Sequence, residues 1–186
     1  KDFIGSHEAS KDSSQLKIAY TGTLSDQYPI EGFLSALKSI QITTDLRFAG
    51  KISQEVADQM TEFNPQFIGY VSHSKSISEL LIADALLLII PEIENNEGIL
   101  TGKLFEYLGS KKPIILIGPP SGDAAKILIA CGTGRVFDYS DSEQLAAYLQ
   151  EIHDCKMQNR NIHTPNEREI GTYSRRNLAL CVLDLI

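Results

Sequence analysis

The chain has 186 residues, of which 42% are apolar and 22% charged, and its net charge is -7. This length suits one well-packed domain and excludes a chain with separate donor and acceptor lobes, while the composition excludes a disordered or fibrous protein. Because dense patches of Lys and Arg hold nucleic acid and anionic lipid, the acidic balance argues against either as a partner.

The predicted elements alternate between strands and helices along the chain. Residues 1–16 are polar and show no sustained period, which predicts a linker. Short apolar runs then predict six β-strands, at residues 17–22, 46–50, 66–70, 85–90, 113–117 and 134–137. Segments with helical spacing lie between them, and a last amphipathic helix is predicted from Leu178, Cys181, Val182 and Leu185.

This alternation predicts an α/β fold, a doubly wound, mostly parallel sheet of about six strands with helices on both faces. The apolar run at residues 86–90 does not alternate with polar residues, which is typical of a strand buried on both faces. We therefore expect residues 17–186 to form one domain.

The sequence also gives expectations about location. The apolar stretch at residues 83–91 is far shorter than the roughly 18 to 20 residues that cross a bilayer. Cys131, Cys155 and Cys181 are odd in number and widely spaced, which is typical of reduced thiols and predicts a cytoplasmic protein. The given sequence begins with Lys1 instead of Met and shows no signal-peptide pattern at its start. We therefore expect a piece of a longer protein.

The predicted topology places a ligand site between two loops. In open parallel sheets, ligands bind beyond the carboxyl ends of the strands where the strand order reverses. If the order is 3-2-1-4-5-6, that crevice lies between residues 22–28 and residues 91–102. A helix with Thr101 as its N-cap is expected to follow the second loop, and its free amides and the Lys103 ammonium would attract a phosphate or diphosphate.

Glu106 shares the face of Lys103, where a carboxylate can accept hydrogen bonds from a ribose diol. The alternative is that Lys103 and Glu106 form an exposed i, i+3 ion pair on an ordinary surface helix. The corresponding alternative for the acidic residues of the second loop is that they lie in a solvated loop without a functional role. These residues are Glu92, Glu94 and Glu97. His73 follows the third strand, so it is expected on the rim of the crevice.

Signatures of several other site classes are absent from the sequence. Three residues separate Gly98 from Gly102, whereas four separate the two glycines of a Walker loop, and Leu104 replaces that loop's hydroxyl residue. Gly22 does not open a dinucleotide fingerprint, so NAD and FAD are not expected. The four histidines lack metal-ligand spacing, and no nucleophile elbow is present.

Residues 101–115, Thr-Gly-Lys-Leu-Phe-Glu-Tyr-Leu-Gly-Ser-Lys-Lys-Pro-Ile-Ile, resemble the donor-site helix of retaining GT-B glycosyltransferases of family 4. Further segments resemble that family's landmarks in the same order, at residues 20–24, 67–72, 80–88, 132–136 and 173–176. The resemblance covers residues 17–186, and residues 1–16 look like the family's interdomain linker.

The resemblance implies a Rossmann-like domain that is the C-terminal, donor-binding half of a two-domain transferase. Such an enzyme moves a hexosyl-type group from a nucleoside-diphosphate sugar to an acceptor, with retention and without a metal or other cofactor. Its partners would be the nucleotide sugar and an N-terminal acceptor domain, through which alone it would touch a membrane, and its role would be polysaccharide biosynthesis.

The resemblance also implies roles for individual positions. Glu106 would hold the ribose, main-chain groups of Tyr70 and Val71 the base, and the glycine loop would include Gly22 and Thr23. The diphosphate would meet the helix start at Gly102, Lys103 and Leu104.

Two departures from the family pattern affect this assignment. The family commonly has Arg after the first glycine and Lys soon after, whereas this chain has Thr23 and then Tyr28. Lys103 is expected to take over part of that charge stabilisation. Of the family's paired glutamates only Glu106 is present, and Glu97, adjacent to the other position, is assigned to the sugar. A non-catalytic nucleotide- or protein-binding module and a nucleotide-sugar epimerase-like domain stay open as alternatives.

Overall fold

The structure, a computed structural model, describes residues 14–174 and residue 177. The strands are β1 (Leu16–Thr21), β2 (Thr44–Ala49), β3 (Gln66–Gly69), β4 (Ala85–Ile89), β5 (Ile114–Ile117) and β6 (Gly134–Phe137). The helices are α1 (Glu31–Ser39), α2 (Gln54–Gln59), α3 (His73–Ile82), α4 (Gly102–Ser110), α5 (Asp123–Cys131), α6 (Ser142–Met157) and α7 (Glu167–Thr172). Short 3-10 turns span Thr61–Phe63 and Asn96–Gly98.

The six strands form one parallel sheet in the order β3-β2-β1-β4-β5-β6, as predicted. Each predicted strand is present, with bounds that differ by no more than two residues. Leu16, the last residue of the predicted linker, already belongs to β1 because its side chain is fully buried. The order reverses between β1 and β4, so the crevice inferred from topology lies at the carboxyl ends of these two strands.

Two apolar layers cover the sheet, which confirms helices on both faces. On one face Leu87 and Ile89 of β4 pack with residues of α1 and α6, among them Phe33 and Tyr148. On the other face the alternate residues of β4 pack with α3, α4 and α5, through Leu80, Leu104, Leu108 and Leu128. Because both faces of β4 are buried, its side chains are all apolar and do not alternate with polar ones.

Some predictions fall on residues outside those described. These are residues 1–13 of the linker, residues 175 and 176 of the last family landmark, and the helix predicted from Leu178, Cys181, Val182 and Leu185. Cys131 and Cys155 are described and are buried free thiols. Across the described ranges, no helix has both the length and the apolar character that crossing a membrane requires.

Candidate functional site

The crevice at the carboxyl ends of β1 and β4 is bounded by the two loops that topology singled out. The amide of Glu92 in the second loop donates to the carbonyl of Gln27 in the first, at 3.1 Å. Asn96 holds the second loop from within, since its side-chain amide donates to the Pro91 carbonyl and to the Tyr139 hydroxyl, both at 2.9 Å. The loops are thus fixed across the point where the strand order reverses.

Helix α4 is attached to the end of β1, and this positions its first turn. Tyr107 is fully buried, and its hydroxyl accepts a hydrogen bond of 3.0 Å from the amide of Thr21, the last residue of β1. Leu104 and Leu108 are buried against the sheet. The opposite side of the first turn therefore faces the glycine loop that follows β1.

Lys103 reaches from α4 to that loop. Its Nζ donates to the Tyr20 hydroxyl at 2.5 Å and lies 3.4 Å from the Thr23 carbonyl oxygen. The ammonium also lies 4.4 Å from the ring centre of Tyr20 and 5.6 Å from that of Tyr28. Gly22 has φ +108, and a Cβ there would be 3.3 Å from Nζ, so only glycine leaves this space to the ammonium.

The Lys103 ammonium is half-buried among uncharged groups. In the part of the chain that the structure describes, its hydrogen-bond partners are a hydroxyl and a carbonyl, and it forms no ion pair. Burial lowers the pKa of Lys103 from its ordinary value of 10.5 to about 8. Burial also raises the pKa of the Tyr20 hydroxyl, which therefore stays neutral. The site holds a cation whose charge no protein anion cancels.

Glu106, one turn further along α4, faces His73 instead of Lys103. Its Oε1 lies 3.9 Å from Nδ1 of His73, the first residue of α3. No ion pair within 4.0 Å joins Lys103 to Glu106 among the described residues, so the surface-pair alternative does not describe these side chains. The expectation that His73 lies on the rim of the crevice is confirmed, and the carboxylate of Glu106 remains partly exposed there.

The start of α4 differs from the prediction in two details. Thr101 occupies the N-cap position, but its side chain caps no amide, and its buried Oγ1 has no hydrogen-bond partner in the described chain. The amide of Leu104 donates to the Thr101 carbonyl at 3.1 Å and is therefore not free for a ligand. A Cβ at Gly102 would meet nothing within 4 Å, so open space lies beside the first amides of the helix.

Tyr70 and Val71 follow β3 at the same edge of the sheet. Gly69 turns the chain there with φ +74, and the Tyr70 side chain is 95% exposed. Ser72 then caps α3 by accepting from the amide of Lys75, which places His73 at the helix start. Tyr70 and Val71, which are assigned to the base, thus lie just before α3. The first residue of α3 is His73, which faces Glu106.

Glu97 lies in the Asn96–Gly98 turn of the second loop and points away from Lys103. Its Oε1 accepts a hydrogen bond of 2.7 Å from the hydroxyl of Ser121, which precedes α5. Its assignment to the sugar stays a prediction. Glu92 and Glu94 are exposed, which agrees with the solvated-loop alternative for these two residues.

Three aromatic or hydroxyl groups of the site were not assigned from the sequence. The rings of Tyr20 and Tyr28 both lie beside the Lys103 ammonium, whereas the sequence pattern shows Tyr28 only as a residue without the charge that the family has there. Ser121 supplies the partner of Glu97 from a loop that topology did not single out. Tyr20 did carry a signal, since it lies within β1, two residues before Gly22 of the glycine loop.

No metal centre is evident at this site or elsewhere in the described residues. No three His, Cys, Asp or Glu side chains there are grouped so that they could hold a metal ion. The expectation of a reaction without a metal or other cofactor stays a prediction.

Comparisons with known proteins bear on this geometry. No protein-family model and no curated protein matches the sequence. Among solved structures, sucrose-phosphate synthase from Thermosynechococcus elongatus superposes on 92% of the chain with a TM-score of 0.72 and 17% identity. The chain has the fold of GT-B glycosyltransferases. The fold expected from the family resemblance is thereby confirmed.

Two further solved structures match the chain over part of their own length. Anabaena HepE in complex with UDP-glucose matches 90% of the chain, with a TM-score of 0.59 and 12% identity. The C-terminal domain of LpcC, a glycosyl transferase group 1 protein from Francisella tularensis, matches 75% of the chain and 75% of its own length, with a TM-score of 0.54 and 18% identity. The chain spans only 44% of sucrose-phosphate synthase and 49% of HepE, about half of each protein.

Proposed function

We propose that this chain is the donor-binding half of a glycosyltransferase that moves a hexosyl-type group, with retention, from a nucleoside-diphosphate sugar to an acceptor. The observation that carries the proposal is the unneutralised Lys103 ammonium, held beside the open start of α4 at the point of strand reversal. An anion at this point is attracted both by the positive charge of Lys103 and by the positive end of the helix dipole. HepE, which shares the fold, is known in complex with UDP-glucose.

The diphosphate is assigned to Lys103 and the amides of Gly102 and Lys103, with Leu104 fixing the helix on the sheet. During transfer, the bond between the sugar and the β-phosphate breaks and negative charge grows on the departing diphosphate. A fixed cation there stabilises that charge more in the transition state than in the ground state.

The remaining roles follow the carboxyl edge of the sheet. Glu106 is assigned to the ribose hydroxyls, and the main chain of Tyr70 and Val71 to the base. Gly22 and Thr23 form the loop against which Lys103 is held, and the Thr23 carbonyl orients its ammonium. Glu97 is assigned to the sugar, which would lie between the second loop and the loop that carries Ser121.

An N-terminal acceptor domain is proposed to complete the enzyme. Ile93 and Leu100, in the loop beside the crevice, are 47% and 46% exposed, and Tyr70 is almost fully exposed at the same edge. Apolar side chains grouped at a site indicate a surface that another domain covers. A cytoplasmic location, membrane contact only through the acceptor domain, and a role in polysaccharide biosynthesis belong to the same proposal.

Titration of the 186-residue chain with UDP, GDP and their sugar derivatives tests nucleotide binding by calorimetry. Removing the Lys103 charge in Lys103→Met is expected to cost about 2 kcal/mol, or about thirtyfold in affinity. Lys126→Met is the matched control, because Lys126 is exposed on α5 and pairs only with Asp123 among the described residues. Absence of binding to any nucleotide at millimolar concentration overturns the proposal.

A non-catalytic binding module is a second candidate, favoured by Thr23 and Tyr28 at the positions of the family's loop cations. The full-length protein separates the two. Transfer activity that Lys103→Ala abolishes excludes the non-catalytic module, whereas nucleotide binding without transfer to any acceptor supports it. Product formation from the nucleotide sugar without an acceptor would instead indicate an epimerase-like enzyme.

A further inference from the structure

A second cleft lies at the opposite edge of the sheet, where the strands begin. It encloses about 560 Å³ and is bordered by Asp84 before β4, Pro113 before β5, the end of α6 and the segment that follows α6. This volume falls within the roughly 300 to 1,000 Å³ of small-molecule sites. None of the residues assigned to the nucleotide sugar lines it.

The cleft is cationic although the chain is acidic. Lys111, Lys112, Lys156 and Arg160 line it together with only two acidic residues, Asp84 and Glu167, in a chain of net charge -7. The two acidic side chains are already paired, Asp84 with Lys156 at 2.6 Å and Glu167 with Lys111 at 2.5 Å. Two cations therefore remain without an acidic partner, Lys112 and Arg160.

Neither of these two cations forms an ion pair with a described residue. Arg160 donates from its Nε to the neutral Gln158 Oε1 at 2.7 Å. The Lys112 ammonium makes no hydrogen bond with any described residue. Burial lowers its pKa, and the negative charge of Asp84 offsets that effect only in part. Asn159 and Asn161 add neutral amide groups beside them, each able to donate and accept.

We propose that this cleft binds a small phosphorylated molecule that carries hydroxyl groups, with its phosphate held by Lys112 and Arg160. A phosphate dianion matches the two unneutralised charges, and guanidinium binds phosphate oxygens in pairs. The volume exceeds that of phosphate alone, and the two asparagine amides suit hydroxyl groups. A long polyanion such as nucleic acid is not favoured, because the chain as a whole carries a net charge of -7.

The cleft is separate from the proposed donor site but shares one helix with it. Helix α4 begins at Gly102 beside the donor site and ends at Ser110, directly before Lys111 and Lys112. Its nine residues span about 14 Å, so a small ligand in one site does not touch the other. Substitutions at the two ends of α4 can therefore assign any bound phosphate to one site or the other.

Calorimetric titration of the 186-residue chain with ribose 5-phosphate, inorganic phosphate and ribose tests the proposal. We expect ribose 5-phosphate to bind more tightly than inorganic phosphate, and ribose not to bind at the same concentrations. Lys112→Met and Arg160→Gln should each weaken ribose 5-phosphate at least tenfold, while Lys103→Met and the control Lys126→Met leave it unchanged. Thermal unfolding of each variant verifies that the fold is retained.

Three results would overturn the proposal. One is the absence of ribose 5-phosphate binding at millimolar concentration. Another is binding that Lys112→Met and Arg160→Gln do not alter, and the third is binding that Lys103→Met removes. Because UDP binding is measured separately on the same variants, failure here is distinguishable from failure of the proposed donor site.

Discussion

Nucleotide binding is expected to weaken as the pH rises through 8, because the Lys103 ammonium loses its proton there. Burial lowers the pKa of Lys103 to about 8. The protonated fraction then falls from about nine-tenths at pH 7 to about one-tenth at pH 9. If the diphosphate binds the ammonium form alone, its dissociation constant rises about tenfold over this interval, equivalent to about 1.4 kcal/mol. A lysine with an ordinary pKa would change affinity little over the same range.

The assay is calorimetric titration with UDP at several pH values, with the buffer ionisation heat varied to count protons taken up on binding. Near pH 8 and above, binding should take up a proton, since the bound diphosphate raises the pKa of Lys103 again. Lys103→Arg is the matched variant, because its guanidinium stays charged throughout. It should bind UDP without this proton uptake.

Titration of the nucleotide itself contributes equally to both proteins, so the difference between wild type and Lys103→Arg isolates Lys103. Equal pH profiles for the two proteins would refute the reasoning. So would an unchanged affinity between pH 7 and pH 9 in the wild type, since either result means that the ammonium of Lys103 does not contact the bound anion.

Three further changes should act at separate points of the fold. Glu106→Ala should weaken UDP about tenfold and 2′-deoxy-UDP distinctly less, because the carboxylate is assigned to the ribose hydroxyls and the deoxy compound lacks one of them. Gly22→Ala should lower the free energy of unfolding by about 1 to 2 kcal/mol in denaturant titrations, since φ is +108 and the new Cβ would press on Lys103. Glu79→Ala should cost about 3 kcal/mol, because Glu79 is 1% exposed and its carboxylate pairs with Arg47 at 2.8 Å.

The changes at Gly22 and Glu79 each have a control variant in the chain. Gly98→Ala has no heavy atom within 4 Å of the new Cβ and a φ outside the left-handed region, so its effect on stability should be below about 0.5 kcal/mol. Glu62→Ala removes an exposed partner of Lys38 and should be similarly mild. Equal losses at Glu79 and Glu62, or at Gly22 and Gly98, would contradict the structural explanation. Equal weakening of UDP and 2′-deoxy-UDP by Glu106→Ala would contradict the ribose assignment.

The fold could be predicted from the sequence because its signals are local. Each strand is a short apolar run, and β4 shows no polar alternation because helices cover both of its faces. Strict alternation of strand and helix leaves few topologies, and the position of the crevice follows from the strand order. The start of helix α4 directly after Thr101 could also be predicted, and its buried Leu104 and Leu108 repeat at helical spacing.

The chemistry within the crevice depends on contacts that local patterns do not contain. Lys103 is 83 residues from Tyr20, and its direction is set by the hydrogen bond that ties Tyr107 to the end of β1. A sequence pattern shows Lys103 as one more charged helix residue. Thr101 illustrates the converse, because its identity and position suit an N-cap but its side chain points elsewhere.

The partners of Lys103 explain how this chain can dispense with cations in the loop after β1. A carboxylate beside the ammonium would hold it in place but would compete with the incoming diphosphate for the same charge. Tyr20 and Tyr28 present aromatic rings, and Tyr20 a neutral hydroxyl, so they orient the ammonium through dipole and quadrupole interactions without neutralising it. Because no carboxylate lies beside it, burial lowers the pKa of Lys103. A bound dianion would raise that pKa again. Tyr28 thus helps to position a charge that comes from α4.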